Sequence, residues 1–443
     1  MEKIAKFFKF EERNTNFKVE TIAGLTTFMT MAYVLVTQPG AICGFGAEAG
    51  VVDMNGVMVT KEAIMILTSL VSGLITLLMA FYSNFPFALS TGMGTNFILG
   101  AMIQNGTLSY AQAMGMILIT GIIFIVLSVF GIRDLIVRMI PKNIKVSIGT
   151  AIGFFIAYLG FSNSGICDFS AGLNVGDFTD KAVLLAIAGL GIIAVLTAFK
   201  VNGAILIGIV IITIVGIPMG ITAMPDAIAK VPQFSTVSDI IFKFDLTSIW
   251  TAEGIVLMFI AFFGDFFSTL GTVLGVAGRA HMLDEDGNLP GIEKPFLVDA
   301  VGTTVGACFG CTTITTFVES TAGVEAGGRT GWTAVVTGVL FLIFVFLSPL
   351  ALMVPNAATG PALIFVGFLM IQGIKDIDFS DFTEAFGPFV MIVFGAFSAS
   401  IAVGIAAGIL SYIFIKLCTG KFKEIHPGMY ILAIPLILYF IYM

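Results

Sequence analysis

The sequence predicts an all-α polytopic membrane protein, and this prediction rests on composition, on the length of the apolar stretches and on the placement of basic residues. Of the 443 residues, 58% are hydrophobic and only 11% are charged, and the mean hydropathy is +1.05. Soluble proteins carry about 25% charged residues. Because so few charges cannot cover a water-soluble body of this size, lipid is the predicted solvent for most of the surface.

Fourteen apolar stretches approach the length of about 20 residues that a spanning helix requires. A polar stretch from Pro225 to Trp250 separates two sets of seven. A last apolar stretch, Met429–Met443, is shorter, and we expect it at the interface or packed on the bundle. The fourteen predicted segments lie near residues 21–42, 63–83, 86–104, 111–131, 141–162, 182–199, 202–223, 252–278, 295–311, 312–329, 330–350, 357–375, 383–400 and 401–419.

Basic residues fall mainly on one side of this topology. With a cytoplasmic N-terminus, 17 of the 21 Lys and Arg residues lie inside, and four lie outside: Lys61, Lys181, Lys230 and Lys243. This is the positive-inside asymmetry of membrane proteins. Residues 1–20 are charged and do not resemble a signal peptide. We therefore predict a multi-pass protein of the cell membrane, and the lack of a long basic tract argues against nucleic acid as a partner.

The third and tenth segments are short and rich in Gly, Ser and Thr. They contain residues 85–96 and 311–323, and each is the third of its set of seven. Broken helices at matching positions of two halves are typical of transporter binding sites. Because seven is odd, the second half enters the membrane from the opposite side, which predicts an inverted repeat. The Thr-rich run in the tenth segment favours a short extended strand.

Two carboxylates lie within these apolar surroundings, Asp265 in the eighth segment and Glu319 in the tenth. A charge at the bilayer centre costs roughly 2.5–3.5 kcal/mol on insertion scales. Such residues face a cavity or a partner, so both are predicted to bind substrate and carry protons. A structural hydrogen bond to a neighbouring helix is the alternative for each.

Several neighbours of these carboxylates are predicted to complete the substrate site. Helical spacing sets Phe262 and Thr269 on the face of Asp265, where an aromatic ring and a hydroxyl suit a flat heterocycle. Thr30 belongs to a polar stripe of the first segment, which fits a cavity wall and helix packing equally well. A half-helix after Glu319 would offer free N–H groups, including that of Ala322, to a substrate carbonyl. The third segment would contribute Gly92 backbone and the Asn96 side chain.

Energy for transport is expected from an ion gradient, since the sequence contains no ATP-binding module and no predicted cofactor. Both histidines, His281 and His426, fall in predicted cytoplasmic loops. The buried carboxylates are therefore the predicted proton carriers, because desolvation favours their neutral form. Sodium coupling stays open. The Cys308–Cys311 pair is interpreted as two small helix residues rather than a metal site, and no catalytic motif indicates an enzyme.

These residues resemble the nucleobase–cation symporters, in the AzgA-like branch of guanine/hypoxanthine and adenine permeases. The matching motifs begin at Ile22-Ala23-Gly24, Pro86-Phe87-Ala88, Gly264-Asp265 and Thr315-Thr316-Phe317-Val318-Glu319, and the resemblance covers about residues 10–430. Thr269 stands where pyrimidine members carry a histidine. The resemblance implies binding of the base by Asp265 and Glu319, proton symport and elevator-type alternating access.

The same resemblance implies a fold like that of the uracil permease UraA, with short strands in segments 3 and 10 and with core and gate domains. A homodimer through the gate domains is one expected assembly. The implied divisions are a cytoplasmic N-terminus (1–20), core (21–131), gate (132–223), extracellular linker (224–251), core (252–350), gate (351–420) and a C-terminal tail (421–443).

The purine is less well defined than the class. A carboxylate accepts adjacent N–H groups, and with a half-helix N-terminus it favours guanine or hypoxanthine by donor–acceptor matching. Adenine or another nucleobase remains an alternative. A further alternative is an anion transporter of the same fold, which two buried carboxylates disfavour, since no Lys or Arg is predicted at the site.

Overall fold

A computed structural model describes residues 2–45, 49–130, 141–169, 174–225, 227–283, 289–398 and 401–442. Within them, seven helical stretches are long and apolar enough to cross a membrane, judged by length and composition. The predicted helical membrane fold is thereby confirmed. These stretches are Phe17–Cys43, Lys61–Ser83, Tyr110–Val129, Lys142–Asn163, Lys181–Ala198, Gly331–Leu352 and Asn356–Asp376.

The helices of the described residues follow the predicted segments closely. In chain order they are α1 Glu2–Phe7, α2 Phe17–Met31, α3 Val34–Cys43, α4 Lys61–Leu78, α5 Met93–Gln104, α6 Tyr110–Val129, α7 Lys142–Asn163, α8 Lys181–Ala198, α9 Ala204–Gly216, α10 Phe234–Val237, α11 Ala252–Arg279, α12 Glu293–Cys308, α13 Ser320–Glu325, α14 Gly331–Phe344, α15 Ser348–Leu352, α16 Asn356–Ile371, α17 Phe382–Phe397, α18 Ile401–Cys418 and α19 Pro427–Tyr442.

Short strands occur in the third and tenth segments, as predicted. The described part of the chain contains six strands: β1 Gly50–Val52, β2 Met58–Thr60, β3 Leu89–Thr91, β4 Cys167–Asp168, β5 Asn174–Val175 and β6 Ile314–Thr316. Strand β3 pairs with β6 in antiparallel register, with Ser90 opposite Thr315. Both strands are buried along their whole length. Buried polar backbone requires partners within the protein, and the strand pairing supplies part of them, with bonds from the Gly92 amide to the Thr313 carbonyl and from the Phe317 amide to the Ala88 carbonyl at its two ends.

Helices α7 and α16 pack with their backbones in direct contact. A Cβ added at Gly160 would lie 2.7 Å from the carbonyl oxygen of Gly360. One added at Gly367 would lie 2.6 Å from the carbonyl oxygen of Gly153. Small residues permit this approach in membrane helices. We call these two helices the glycine-packed pair.

The C-terminal apolar stretch forms helix α19, which packs against α11 and α18. Met429 and Leu436 are fully buried there, while Ile431 and Ile441 point outward. The expectation that this stretch packs on the bundle is therefore confirmed. The fold thus surrounds the β3–β6 crossing with helices from both halves of the chain.

Candidate functional site

The two crossing strands are held by matching hydrogen bonds from the helices that precede their segments. The Thr76 hydroxyl of α4 donates to the Leu89 carbonyl at 3.1 Å and accepts from the Leu89 amide at 3.0 Å. The Thr303 hydroxyl of α12 makes the same two bonds with Ile314, at 3.1 and 3.0 Å. Each strand is therefore fixed at its first residue, which sets the depth at which the following helix begins.

Glu319 lies at the start of α13, directly after the second strand. The sequence predicted free N–H groups here, and that prediction is wrong for the first three amides of the helix. Those amides, of Ser320, Thr321 and Ala322, already donate to the carbonyls of Phe317, Val318 and Glu319 at 2.9–3.1 Å. This tight turn leaves the Glu319 side chain, rather than the helix amides, as the polar group that α13 presents.

Helix α2 and the turn after it hold Glu319 in place. The Tyr33 hydroxyl donates to Glu319 Oε1 at 2.7 Å, and Tyr33 is buried. The Thr30 hydroxyl lies 3.3 Å from the Glu319 carbonyl oxygen. Because a carboxylate has about four acceptor positions, Glu319 keeps capacity for further donors.

Free helix amides are found instead at α5, in the third segment. The first hydrogen bond of this helix joins the Asn96 amide to the Gly92 carbonyl at 3.0 Å, and no side chain caps it. The amides of Met93, Gly94 and Thr95 therefore precede the helical ladder. All three residues line a cavity beside the crossing strands. A partial positive charge is thus directed at that cavity.

Asp265 lies midway along α11 and is 3% exposed. Ser268 and Thr272, three and seven residues later on the same face, line the same cavity. A Cβ added at Gly92 would lie 3.6 Å from Asp265 Oδ1 and 3.4 Å from Thr315 Cγ2. The Asp265 carboxylate therefore lies within van der Waals reach of the start of α5, while the tightest contact of such a Cβ would be with Thr313 Oγ1, at 2.8 Å.

The cavity has a volume of about 430 Å³. This lies within the roughly 300–1,000 Å³ of small-molecule sites. Its walls come from the crossing segments, from α11 and from the glycine-packed pair. Its polar lining includes Tyr33, Gly92, Thr95, Lys145, Asp265, Ser268, Thr272, Thr315, Thr316, Glu319 and Asp376.

Lys145 corrects the prediction that no basic residue lines the site. It lies in the first turn of α7, at the end predicted to be cytoplasmic, and lines the cavity together with Asp376. Sequence position alone suggested an interfacial residue, because the cavity's extent toward that end depends on tertiary packing. Glu319, Asp265 and Asp376 still outnumber this single cation.

Of the eight residues predicted to bind substrate, the structure brings Glu319, Asp265 and Gly92 to the cavity lining. Phe262 does not line it; the Phe262 ring stacks on Phe124, with centroids 4.5 Å apart. Asn96 accepts a hydrogen bond from the Thr312 hydroxyl and so joins the two segments. Thr30 and Ala322 lie behind Glu319, as described above.

Thr269 also lies behind the cavity and connects to a carboxylate that the sequence analysis missed. Its hydroxyl donates to Asp299 Oδ1 at 3.0 Å and lies 2.7 Å from the Thr315 hydroxyl. Asp299 is 1% exposed in the middle of α12. The available signal was an acid in the predicted ninth segment. Tyr33, three residues after Thr30 in the first segment, was not predicted at the site either.

No cluster of three metal-ligating side chains occurs among the described residues. Within that same part of the chain, Cys308 and Cys311 are free thiols. The groups that the cavity lining offers are carboxylates, hydroxyls and the start of a helix. A cavity at the point where two interrupted helical segments meet is typical of membrane transporters.

Comparisons with known proteins agree with this class. The family model Xan_ur_permease, described as "Permease family", matches residues 18–410. The guanine/hypoxanthine permease PbuG of Bacillus subtilis is 34% identical over 99% of both chains. The adenine permease AdeQ of Escherichia coli is 33% identical over 97% of this chain and 94% of its own.

The fold is similar to that of the transmembrane domain of a cyanobacterial bicarbonate transporter, BicA. The TM-score is 0.60 at 15% identity, over 89% of this chain and 97% of that one. The chain belongs to the Permease family, whose relatives include nucleobase permeases. It is accordingly a membrane permease and not an enzyme.

Proposed function

We propose that this chain is a secondary active transporter that imports purine nucleobases by proton symport, with guanine and hypoxanthine preferred. The observation that carries the proposal is the pairing of acceptors and donors across one cavity. Glu319 and Asp265 line it with groups that can accept hydrogen bonds, and Met93, Gly94 and Thr95 line it at the uncapped start of α5, where backbone amides can donate them. A 6-oxopurine presents N–H groups beside a carbonyl oxygen, which matches this arrangement.

The base is expected to bind with its N–H edge at Glu319 and its oxygen toward the start of α5. Tyr33 would orient the Glu319 carboxylate from behind, through the 2.7 Å bond. This differs from the arrangement expected from sequence, in which the first amides of α13 donated hydrogen bonds to the carbonyl oxygen of the base. Adenine lacks O6 and N1–H, so it fits less well, although the relative AdeQ keeps an adenine permease as the second candidate.

Proton coupling is proposed for Asp265 and Glu319, which line the same cavity. Burial disfavours an uncompensated negative charge. Binding of a neutral base together with a proton would neutralise one carboxylate, so proton symport is the transport cycle that we propose. Sodium remains the alternative ion. An anion substrate, such as the bicarbonate transported by BicA, is disfavoured because carboxylates repel anions.

For the whole molecule we propose fourteen segments in two inverted repeats, in the cell membrane with a cytoplasmic N-terminus. The core domain would comprise segments 1–4 and 8–11, the gate domain segments 5–7 and 12–14. Lys145 and Asp376 line the cavity at the predicted cytoplasmic end, which supports an inward-open form. Elevator-type motion of core against gate, and a homodimer through the gates, complete the proposal.

The test is uptake of labelled hypoxanthine by cells that lack their own purine permeases. Guanine should compete strongly, adenine weakly, and xanthine and uracil least. A protonophore should abolish accumulation, whereas removal of sodium should not. If adenine alone competes, adenine is the preferred base instead of guanine and hypoxanthine. If uptake depends on sodium, sodium is the coupling ion instead of the proton. Transport of bicarbonate without hypoxanthine uptake would overturn the proposed function.

A further inference from the structure

Asp299 is a buried carboxylate that the proposed transport step does not use. It lies on α12 and reaches the cavity wall through two hydroxyls: Thr269 at 3.0 Å, and then Thr315 at 2.7 Å from Thr269. Thr269 is buried, while Thr315 lines the cavity. A charged group in this position costs several kcal/mol unless it is well compensated. An energetically unfavourable buried carboxylate of this kind suggests a functional role rather than a packing role alone.

The other half of the site shows that a neutral residue can hold the strand. Ser72 lies four residues before Thr76 on α4, and its hydroxyl is 2.8 Å from that of Ser90 on β3. Asp299 lies four residues before Thr303 on α12, and its link ends at Thr315 on β6. Thr76 and Thr303 make the same pair of bonds to their strands. The serine pair therefore provides the structural tie without any charge.

The direction of the hydrogen bonds follows from the donors available. A carboxylate can only accept, and a threonine hydroxyl has one hydrogen. Thr269 gives its hydrogen to Asp299, so the 2.7 Å contact requires Thr315 to donate to Thr269. The Thr315 oxygen then keeps its lone pairs as acceptors, on a residue that lines the cavity. In the serine pair, by contrast, either hydroxyl can be the donor.

We propose that Asp299 is a positioning residue of the transport site: acting through Thr269, it fixes the Thr315 hydroxyl as a hydrogen-bond acceptor toward the cavity. Thr315 thereby selects ligands that present an N–H group at that point. This inference rests on the proposed function for the identity of the ligand as a nucleobase. It adds a third acceptor to Glu319 and Asp265, at a residue that carries no charge itself.

The test compares Asp299→Asn with Ser72→Ala in labelled hypoxanthine uptake and in thermal unfolding of the purified protein. Asparagine keeps an oxygen for Thr269, but its amide can also donate, so the direction at Thr315 is no longer fixed. We expect KM to rise about five- to tenfold, the loss of roughly one hydrogen bond, with the maximal rate little changed. Ser72→Ala should lower Tm and leave KM unchanged.

A ligand series adds a reading that packing damage alone would not give. Hypoxanthine methylated in turn at N1, N7 and N9 is tested as a competitor of labelled hypoxanthine uptake by the parent protein. The derivative whose methyl group faces Thr315 should compete poorly. In Asp299→Asn that particular penalty should shrink. If this variant does not fold, Thr315→Val should raise KM and Thr315→Ser should restore it.

Parent-like KM and methyl-base discrimination in Asp299→Asn would overturn the inference. A lowered Tm with unchanged KM, as expected for Ser72→Ala, would equally show a purely structural role. The proposed function fails separately, when the parent protein itself takes up no purine.

Discussion

The third and tenth segments share a backbone plan but present opposite chemistry. Each has a three-residue strand fixed by a threonine of the preceding helix. The third continues into twelve-residue α5, whose first three residues line the cavity and carry amides that precede the helical hydrogen bonds. The tenth continues into six-residue α13, whose first amides are already bonded. One segment thus supplies donors and the other a carboxylate. Similar halves of a chain can therefore build a site with distinct sides.

The largest effect is expected where the acceptor side is removed. Glu319→Gln should reduce hypoxanthine uptake roughly 10- to 100-fold, since hydrogen bonds to charged groups contribute about 1.5–3 kcal/mol. Glu325→Gln is the matched control, because Glu325 is exposed on the same helix and 3.4 Å from Arg279. Uptake and surface expression are measured together. Normal uptake by Glu319→Gln would end the assignment of this side as the acceptor.

Asp265→Asn should have the next largest effect, on coupling. The amide keeps the shape of the side chain but cannot carry a proton, so accumulation against a gradient should be lost while exchange of labelled for unlabelled base persists. The exposed Asp239→Asn provides the control. Uphill accumulation with the parent's pH dependence would assign the proton to another group.

A smaller effect is expected on the donor side. Gly92→Ala would bring a Cβ within 2.8 Å of Thr313 Oγ1, whereas the nearest atom to a Cβ at Gly94 is Ile152 Cδ1 at 3.3 Å. Gly92→Ala should therefore lower uptake and Tm more than Gly94→Ala, in which a flexible side-chain end can move. Equal behaviour of the two variants would show that the crossing tolerates displacement.

Much of this plan could be predicted from sequence, because broken segments and mid-span acids are local signals. The strand of the tenth segment was predicted from its threonine run and that of the third from the family resemblance, while the positions of Glu319 and Asp265 at a cavity were predicted from acids in apolar segments. The position of the Phe262 side chain was not predicted correctly, because its ring packs on Phe124, which comes from a helix distant in sequence. Nor were the occupied amides of α13, since a tight turn and a regular helix start share the same sequence preferences.

Asp299 illustrates a different limit. Its acid lies between Val298 and Ala300 in a stretch that otherwise looks like an ordinary span. What gives it meaning is the Thr269 hydroxyl on another helix, and one sequence does not reveal such a partner. Lys145 was misjudged for the same reason, since only the arrangement of helices shows how far a cavity extends.

The glycine-packed pair has a mechanical consequence. At Gly160 and Gly367 the backbones of α7 and α16 approach each other directly, so the spacing of the two helices at these points is set by backbone atoms rather than by long, rotatable side chains. That wall of the chamber is a stiff surface, and we expect any passage of cargo to require the opposite wall, with its acids and crossed strands, to slide along it as a single block.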